Sequence, residues 1–225
     1  MEGPEPGRSN VAWLRLAGRR LRVMWLTKSI GTPIFMAVFF VAYFWILGHP
    51  LFPLTTIPST FVDRMIPFQP SALFLYVSLW LYVVIAPALL ETRRELVGYA
   101  LAAVALSASG FAVFLFWPTT VPRPDAELGT VPSLAYLKAV DASGNAFPSL
   151  HVAFAVFSAL WLARLLRGLG AGAGVRALNW AWCLGIVYST VAIRQHVVLD
   201  AVSGGALGAA VAALHMRAMR PRPIS

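Results

Sequence analysis

Residues 145–161 read NAFPSLHVAFAVFSALW: a short polar cluster ends at His151 and runs directly into a stretch with no charged residue before Arg164. A run of this kind is long enough and apolar enough for most of a bilayer crossing, which takes about 20 residues of helix. Working outward, the charged residues bracket five more such segments, so that the set is 30–47, 71–90, 96–117, 148–163, 177–193 and 197–216. The chain has 225 residues, 59% of them hydrophobic and only 12% charged, with a mean hydropathy of +0.72. That is too apolar for a single soluble core of this length. The expected fold is all-α, a polytopic membrane protein built as a bundle of six transmembrane helices. Only Arg194, Gln195 and His196 separate the last two segments, which requires a tight turn between them.

The basic residues orient the bundle. All but four of the 18 lysines and arginines fall before the first segment or in alternate loops; the exceptions are Arg64, Arg123, Lys138 and Arg194. The positive-inside rule then places both termini in the cytoplasm. The net charge of +9 reads as a topology signal and as contact with anionic membrane lipids, not as a nucleic-acid surface. The expected organisation is a basic cytoplasmic arm at 1–28, a six-helix membrane domain at 29–217 and a cytoplasmic tail at 218–225. Within the arm, residues 13–25 have the make-up of an interfacial amphipathic helix. The first apolar segment exceeds a signal-peptide core and no small-x-small cleavage site follows it, so it is expected to stay as an uncleaved helix. The single cysteine, Cys183, leaves no disulfide framework or cysteine metal site. Gly204 and Gly208, four apart among small residues, suit close helix packing.

The chemistry gathers at one boundary. FWPTTVPRPD carries Arg123, NAFPSLH carries Ser149 and His151, and YSTVAIRQHVVLD carries Ser189, Arg194, Gln195, His196 and Asp200. Ionisable groups at membrane depth are costly and normally face a cavity. If the last helix begins near Gln195, His196 and Asp200 lie one turn apart on one face. The carboxylate then takes Nδ1–H and leaves Nε2 as a nucleophile or base; a pair that only satisfies itself is the plain alternative. His151 follows Pro148 by three residues, in a first helical turn where free N–H groups favour an anion. It can serve as a general acid or simply as a helix-start histidine. Arg123, held between two prolines, can grip phosphate through its planar fork or anchor a lipid headgroup. A transporter that moves protons or anions is a reading from another class, but the middles of the segments carry no ionisable residue. Neither the carboxylate-rich nor the multi-histidine set that a metal requires is present, so no metal and no cofactor is expected.

VPRP, FPSLH and ST-x4-QH-x3-D together resemble the three signature motifs of the type 2 phosphatidic acid phosphatase superfamily, integral membrane enzymes acting on lipid phosphates. The resemblance implies hydrolysis of lipid phosphate esters, phosphatidate-like or isoprenoid, through a phosphohistidine. It implies His196 as nucleophile, Asp200 as its orienting partner and His151 as the acid that protonates the leaving group. Arg123 and Ser149 would bind phosphate, with Ser189, Arg194 and Gln195 beside them. Membrane lipids and a lipid phosphate substrate are the implied partners. The implied location is a bacterial inner membrane, with the site facing the periplasm or the outside.

Three positions depart from the familiar motifs. Phe116 stands where they carry a lysine, Leu150 where they carry a glycine and Thr190 where they carry an arginine. PSLH with QH-x3-D is closer to the branch that holds the inositol phosphorylceramide synthases. A site with fewer cations tolerates a singly charged diester better than a monoester with nearly two charges. Transfer of an inositol phosphate-like headgroup between lipids is therefore the alternative to hydrolysis, with Arg194, though at a different position, able to restore one charge and Lys138 or other loop residues further sources of the missing cations.

Overall fold

The computed structural model of the protein describes residues 6–122 and 145–219, with side chains from Ala12 onward. Helix α1 (Pro6–Arg22) turns into α2 (Trp25–Gly48) at Met24, which adopts the left-handed conformation. Next come α3 (Phe61–Met65), a 3-10 turn (Pro70–Ala72), α4 (Leu73–Val77), α5 (Leu79–Ala88) and α6 (Arg93–Phe116). The last three helices are α7 (Leu150–Gly168), α8 (Ala173–Ala192) and α9 (Val198–Ala218). Two short strands, β1 (Thr55–Thr56) and β2 (Thr119–Thr120), pair in parallel and lash two connecting loops together.

Among the described residues, five helical segments are long and apolar enough to cross a membrane: Trp25–Gly48, Pro70–Ala88, Arg93–Phe116, Leu150–Gly168 and Val198–Ala218. The segment expected as the fifth of six spans does form a helix, α8, but it falls outside that set. Arg176 and Asn179 lie within it, along with hydroxyl-bearing residues near its end, and these dilute its apolar character. Asn179 is buried and works between helices: its side-chain oxygen accepts from the Tyr82 hydroxyl at 2.8 Å and its Nδ2 donates to the Ala159 carbonyl at 3.1 Å.

Helix α7 is the centre of the bundle and packs against α9, α8 and α5. Large apolar side chains such as Val38, Val41, Leu81, Leu101, Leu184 and Val202 point outward and are exposed. That distribution suits a hydrocarbon solvent, since soluble monomers rarely expose so much contiguous apolar surface. One end of the bundle is basic. Arg19 and Arg20 both reach Glu91, at 3.1 and 3.2 Å, and the buried Lys28 ammonium donates to the carbonyls of Arg20 and Ala88, each at 2.8 Å. These bonds tie α1 to the loop between α5 and α6. The opposite end carries His151 and His196.

Candidate active site

The site forms where the start of α7, the turn after α8 and the start of α9 meet. Ser149, not Pro148, opens α7: its Oγ accepts from Val152 N–H at 3.2 Å, the ordinary serine N-cap. That bond uses the hydroxyl as an acceptor and leaves its O–H free to donate. Ser149 N–H donates to the Asp200 carbonyl at 3.1 Å, which joins the starts of α7 and α9 directly.

The turn after α8 is equally well defined. Arg194 adopts a left-handed conformation, with φ of 60°. The Thr190 carbonyl accepts from both Gln195 N–H and His196 N–H at 3.0 Å. His196 therefore lies in the turn before α9, as the segment bounds 197–216 imply; α9 begins at Val198 and not near Gln195, so His196 and Asp200 do not share a helical face. The pairing with Asp200 survives for a different reason. Asp200 sits in the first turn and reaches back, its Oδ2 accepting from Val197 N–H at 3.1 Å and lying 3.4 Å from His196 Nδ1. The two are close enough for an ion pair but form no hydrogen bond in this geometry. Asp200 is fully buried and His196 is 8% exposed.

His151 faces them from α7. Its ring stacks on Tyr76, with centroids 3.9 Å apart and planes 9° from parallel, and meets Trp80 edge-on. Its Nε2 lies 3.0 Å from the Tyr76 carbonyl. A carbonyl only accepts, so Nε2 carries the proton and the working nitrogen of the neutral ring is Nδ1.

Both histidines line one cavity of about 470 Å³. Beside the turn, four buried polar atoms have no hydrogen-bond partner among the described residues: both amide atoms of Gln195, His196 Nδ1 and Asp200 Oδ1. Unpaired buried polar groups are costly, and a cluster of them marks a place built for a missing partner. Ser189 spends its hydroxyl proton within α8, on the Ile186 carbonyl at 2.6 Å. Arg194 directs two guanidinium nitrogens at the Asp63 and Ile66 carbonyls, each at 3.1 Å, so those groups brace a loop. Arg123 and Lys138 lie outside the described residues. Val121, two residues before Arg123, packs in one apolar cluster with Val197 and Phe147, so the chain leading to Arg123 runs beside the His196 turn. Among the described residues, no group of three or more His, Cys, Asp or Glu could hold a metal ion.

Asp63 went unread in the sequence. It closes a capping box with Thr60 through Oδ2, and its Oδ1 accepts from Val198 N–H at 2.7 Å. The T-x-x-D signature was there to read, but its reach to α9 spans 135 residues. Together Asp63 and Arg194 clasp the His196 turn from both sides. Asp63→Ala is expected to slow turnover by about tenfold or more, since misplacement on the order of 1 Å is enough. Helix content measured by circular dichroism should stay unchanged. Native turnover in that variant would show that the turn holds its shape without the clasp.

A family model described as PAP2 superfamily matches residues 96–223, a stretch that contains all three motifs. No curated protein and no solved structure matches the chain.

Proposed function

The chain belongs to the PAP2 superfamily, and on that premise we propose that it is an integral membrane enzyme that cleaves lipid phosphate esters through a phosphohistidine on His196. The observation that carries this reading is the His196–Asp200 pair meeting His151 at the end of an apolar cavity. Asp200 Oδ2, 3.4 Å away, is the proposed acceptor for Nδ1–H, which leaves the lone pair of Nε2 for phosphorus. As the N–P bond forms, the ester P–O bond breaks, and the departing oxygen takes a proton from Nδ1 of the His151 imidazolium, whose Nε2–H stays on the Tyr76 carbonyl. In the second half His151 Nδ1 removes a proton from water, the water oxygen attacks phosphorus, and the N–P bond breaks. Arg123, the Ser149 O–H and Gln195 are the proposed grips on the phosphate oxygens.

Six spans, with α8 as the fifth, both termini in the cytoplasm and the site facing outward, complete the proposal. The clustering of cations at the end opposite His151 and His196 supports that orientation. Transfer to a lipid alcohol in place of water is the second reading, and two observations favour it. Thr190, standing where the motif carries an arginine, is fully buried, and its hydroxyl is tied to the Val187 carbonyl at 2.8 Å. Leu150, the residue that marks the inositol phosphorylceramide synthase-like branch, sits over Gly110: a Cβ there would come within 2.5 Å of Leu150 Cδ2. Purified protein given labelled lipid phosphates, with and without an alcohol acceptor, separates the two. Free phosphate formed without acceptor is the expected result for the phosphatase, and a new phosphate ester of the acceptor formed only when it is present, a monoester from a monoester donor or a diester from a diester donor, would replace it with the transferase.

A further inference from the structure

We propose that the cavity reaching from His151 and His196 into the bundle seats one long hydrocarbon tail, so that the substrate is a single-tailed lipid phosphate and not a diacyl one. The inference rests on the phosphatase reading above and deepens it by naming the substrate class.

The cavity is a long slot. At one end it is lined by Asn145, His151 and His196, and at the other by Thr27 and Lys28. Along α2 its wall runs from Thr27 to Phe44, which at 1.5 Å per residue is about 25 Å. Half of a bilayer's hydrocarbon core is only about 15 Å. A tail lying in the slot with its phosphate at the histidines therefore passes the midplane and approaches the basic end of the bundle.

Volume limits the number of tails. At about 30 Å³ for each water-sized group, 470 Å³ holds on the order of 16 methylene-sized groups. That is one chain; an ordinary diacyl lipid has roughly twice as many. The lining agrees with this occupant. Apart from tyrosines, the only ionisable side chains on it among the described residues are Lys28, His151 and His196. The ammonium of Lys28 is held by two carbonyls and closes the far end. Between the ends, Phe35, Phe39, Phe40 and Phe154 form an edge-to-face and stacked aromatic wall, a surface that offers contact but no hydrogen bonds. Gly31 lines the far end and is exposed along the open side of the slot, where a Cβ would meet nothing within 4 Å.

The test compares initial rates of the full-length protein on single-tailed prenyl phosphates of about ten and about twenty carbons and on a diacyl phosphatidate. The tail reaches the slot from lipid or detergent, so discrimination by length comes from the contacts made along its wall and not from transfer out of water. The expected result is a kcat/KM that rises with tail length and is highest for the long single tail. In Gly31→Leu, and independently in Ala100→Phe on the facing wall, the ratio of long-tail to short-tail kcat/KM should fall by about tenfold or more. Two variants from different helices guard against one of them failing to fold. Cleavage of phosphatidate as efficient as that of the long single tail would overturn the proposal. So would a ratio that neither variant moves, which would mean that bilayer lipid and not substrate fills the slot. If the wild-type protein released phosphate from none of the compounds, the phosphatase reading itself would fail and take the tail with it.

Discussion

His196→Ala is expected to lower lipid phosphate turnover by roughly 10⁴-fold or more, the scale on which loss of a covalent nucleophile removes catalysis from a coupled set of groups. The argument is local. His196 is the one motif histidine whose Nδ1 faces a carboxylate, and the backbone carbonyl of Thr190 and the clasp of Asp63 and Arg194 fix the turn that presents it. His151, bonded to a carbonyl through Nε2, is set up for proton transfer and lacks a carboxylate to stabilise a phosphorylated ring. The two roles separate experimentally. Wild-type protein quenched during turnover of labelled substrate should carry acid-labile label on histidine, and His196→Ala should carry none. His151→Gln, given an ester whose leaving group needs no proton, should still form the phosphoenzyme and then stall for want of a base. Asp200→Asn, which leaves the shape but not the tautomer control, should fall between, at roughly 10²- to 10⁴-fold. Turnover of His196→Ala at the native rate would rule out the nucleophile assignment.

What was legible in the sequence divides along physical lines. Membrane character is a bulk property of composition, and the segments 71–90 and 96–117 fall within a few residues of Pro70–Ala88 and Arg93–Phe116. The pairing of His196 with Asp200 was legible because both residues belong to one short stretch. Its geometry was not, because the helix start depends on which group caps it, and here Asp200 reaches back to Val197 N–H from the first turn. The same competition moved the start of α7. Proline is favoured at a first helical position, yet Ser149 supplies an acceptor for an otherwise orphaned N–H as N-cap, so the first helical residue is Leu150, two residues later. Contacts between distant segments left no local trace at all. Leu150 was conspicuous as a departure from a motif, but its seat over Gly110 exists only in the folded bundle. Asp63 was readable as a cap and unreadable as a brace for α9.

Three neighbouring glycines on α9 give the sharpest stability prediction. A Cβ on Gly204 would lie 2.2 Å from the Ser149 carbonyl oxygen, and one on Gly208 would lie 2.2 Å from the Ala153 carbonyl oxygen. Both obstacles are backbone, spaced four residues apart on α7 as the glycines are on α9, so relief requires the two helices to separate by about 1 Å or more along this seam. Gly205, between them, would meet Val152 and Val156 only at 3.8 and 3.9 Å, ordinary contact. Alanine gains about 1 kcal/mol over glycine within a helix, while overpacking of this kind costs typically 1–3 kcal/mol and more when backbone must move. Gly205→Ala should therefore be neutral or slightly stabilised in thermal unfolding, whereas Gly204→Ala and Gly208→Ala should each lose on the order of 1–2 kcal/mol. Activity should distinguish the latter two. Gly204 presses on Ser149, the residue whose N–H holds the Asp200 carbonyl, so parting the helices there moves His151 away from the His196–Asp200 pair. A displacement of about 1 Å at reacting groups costs on the order of 10²-fold, and Gly204→Ala is expected to lose about that much in kcat. Gly208→Ala, one turn deeper, should retain most of its turnover at the same loss of stability. If Gly204→Ala matched Gly205→Ala in both melting and rate, close contact of α7 and α9 would not be what positions the histidines, and the seam would be packing alone.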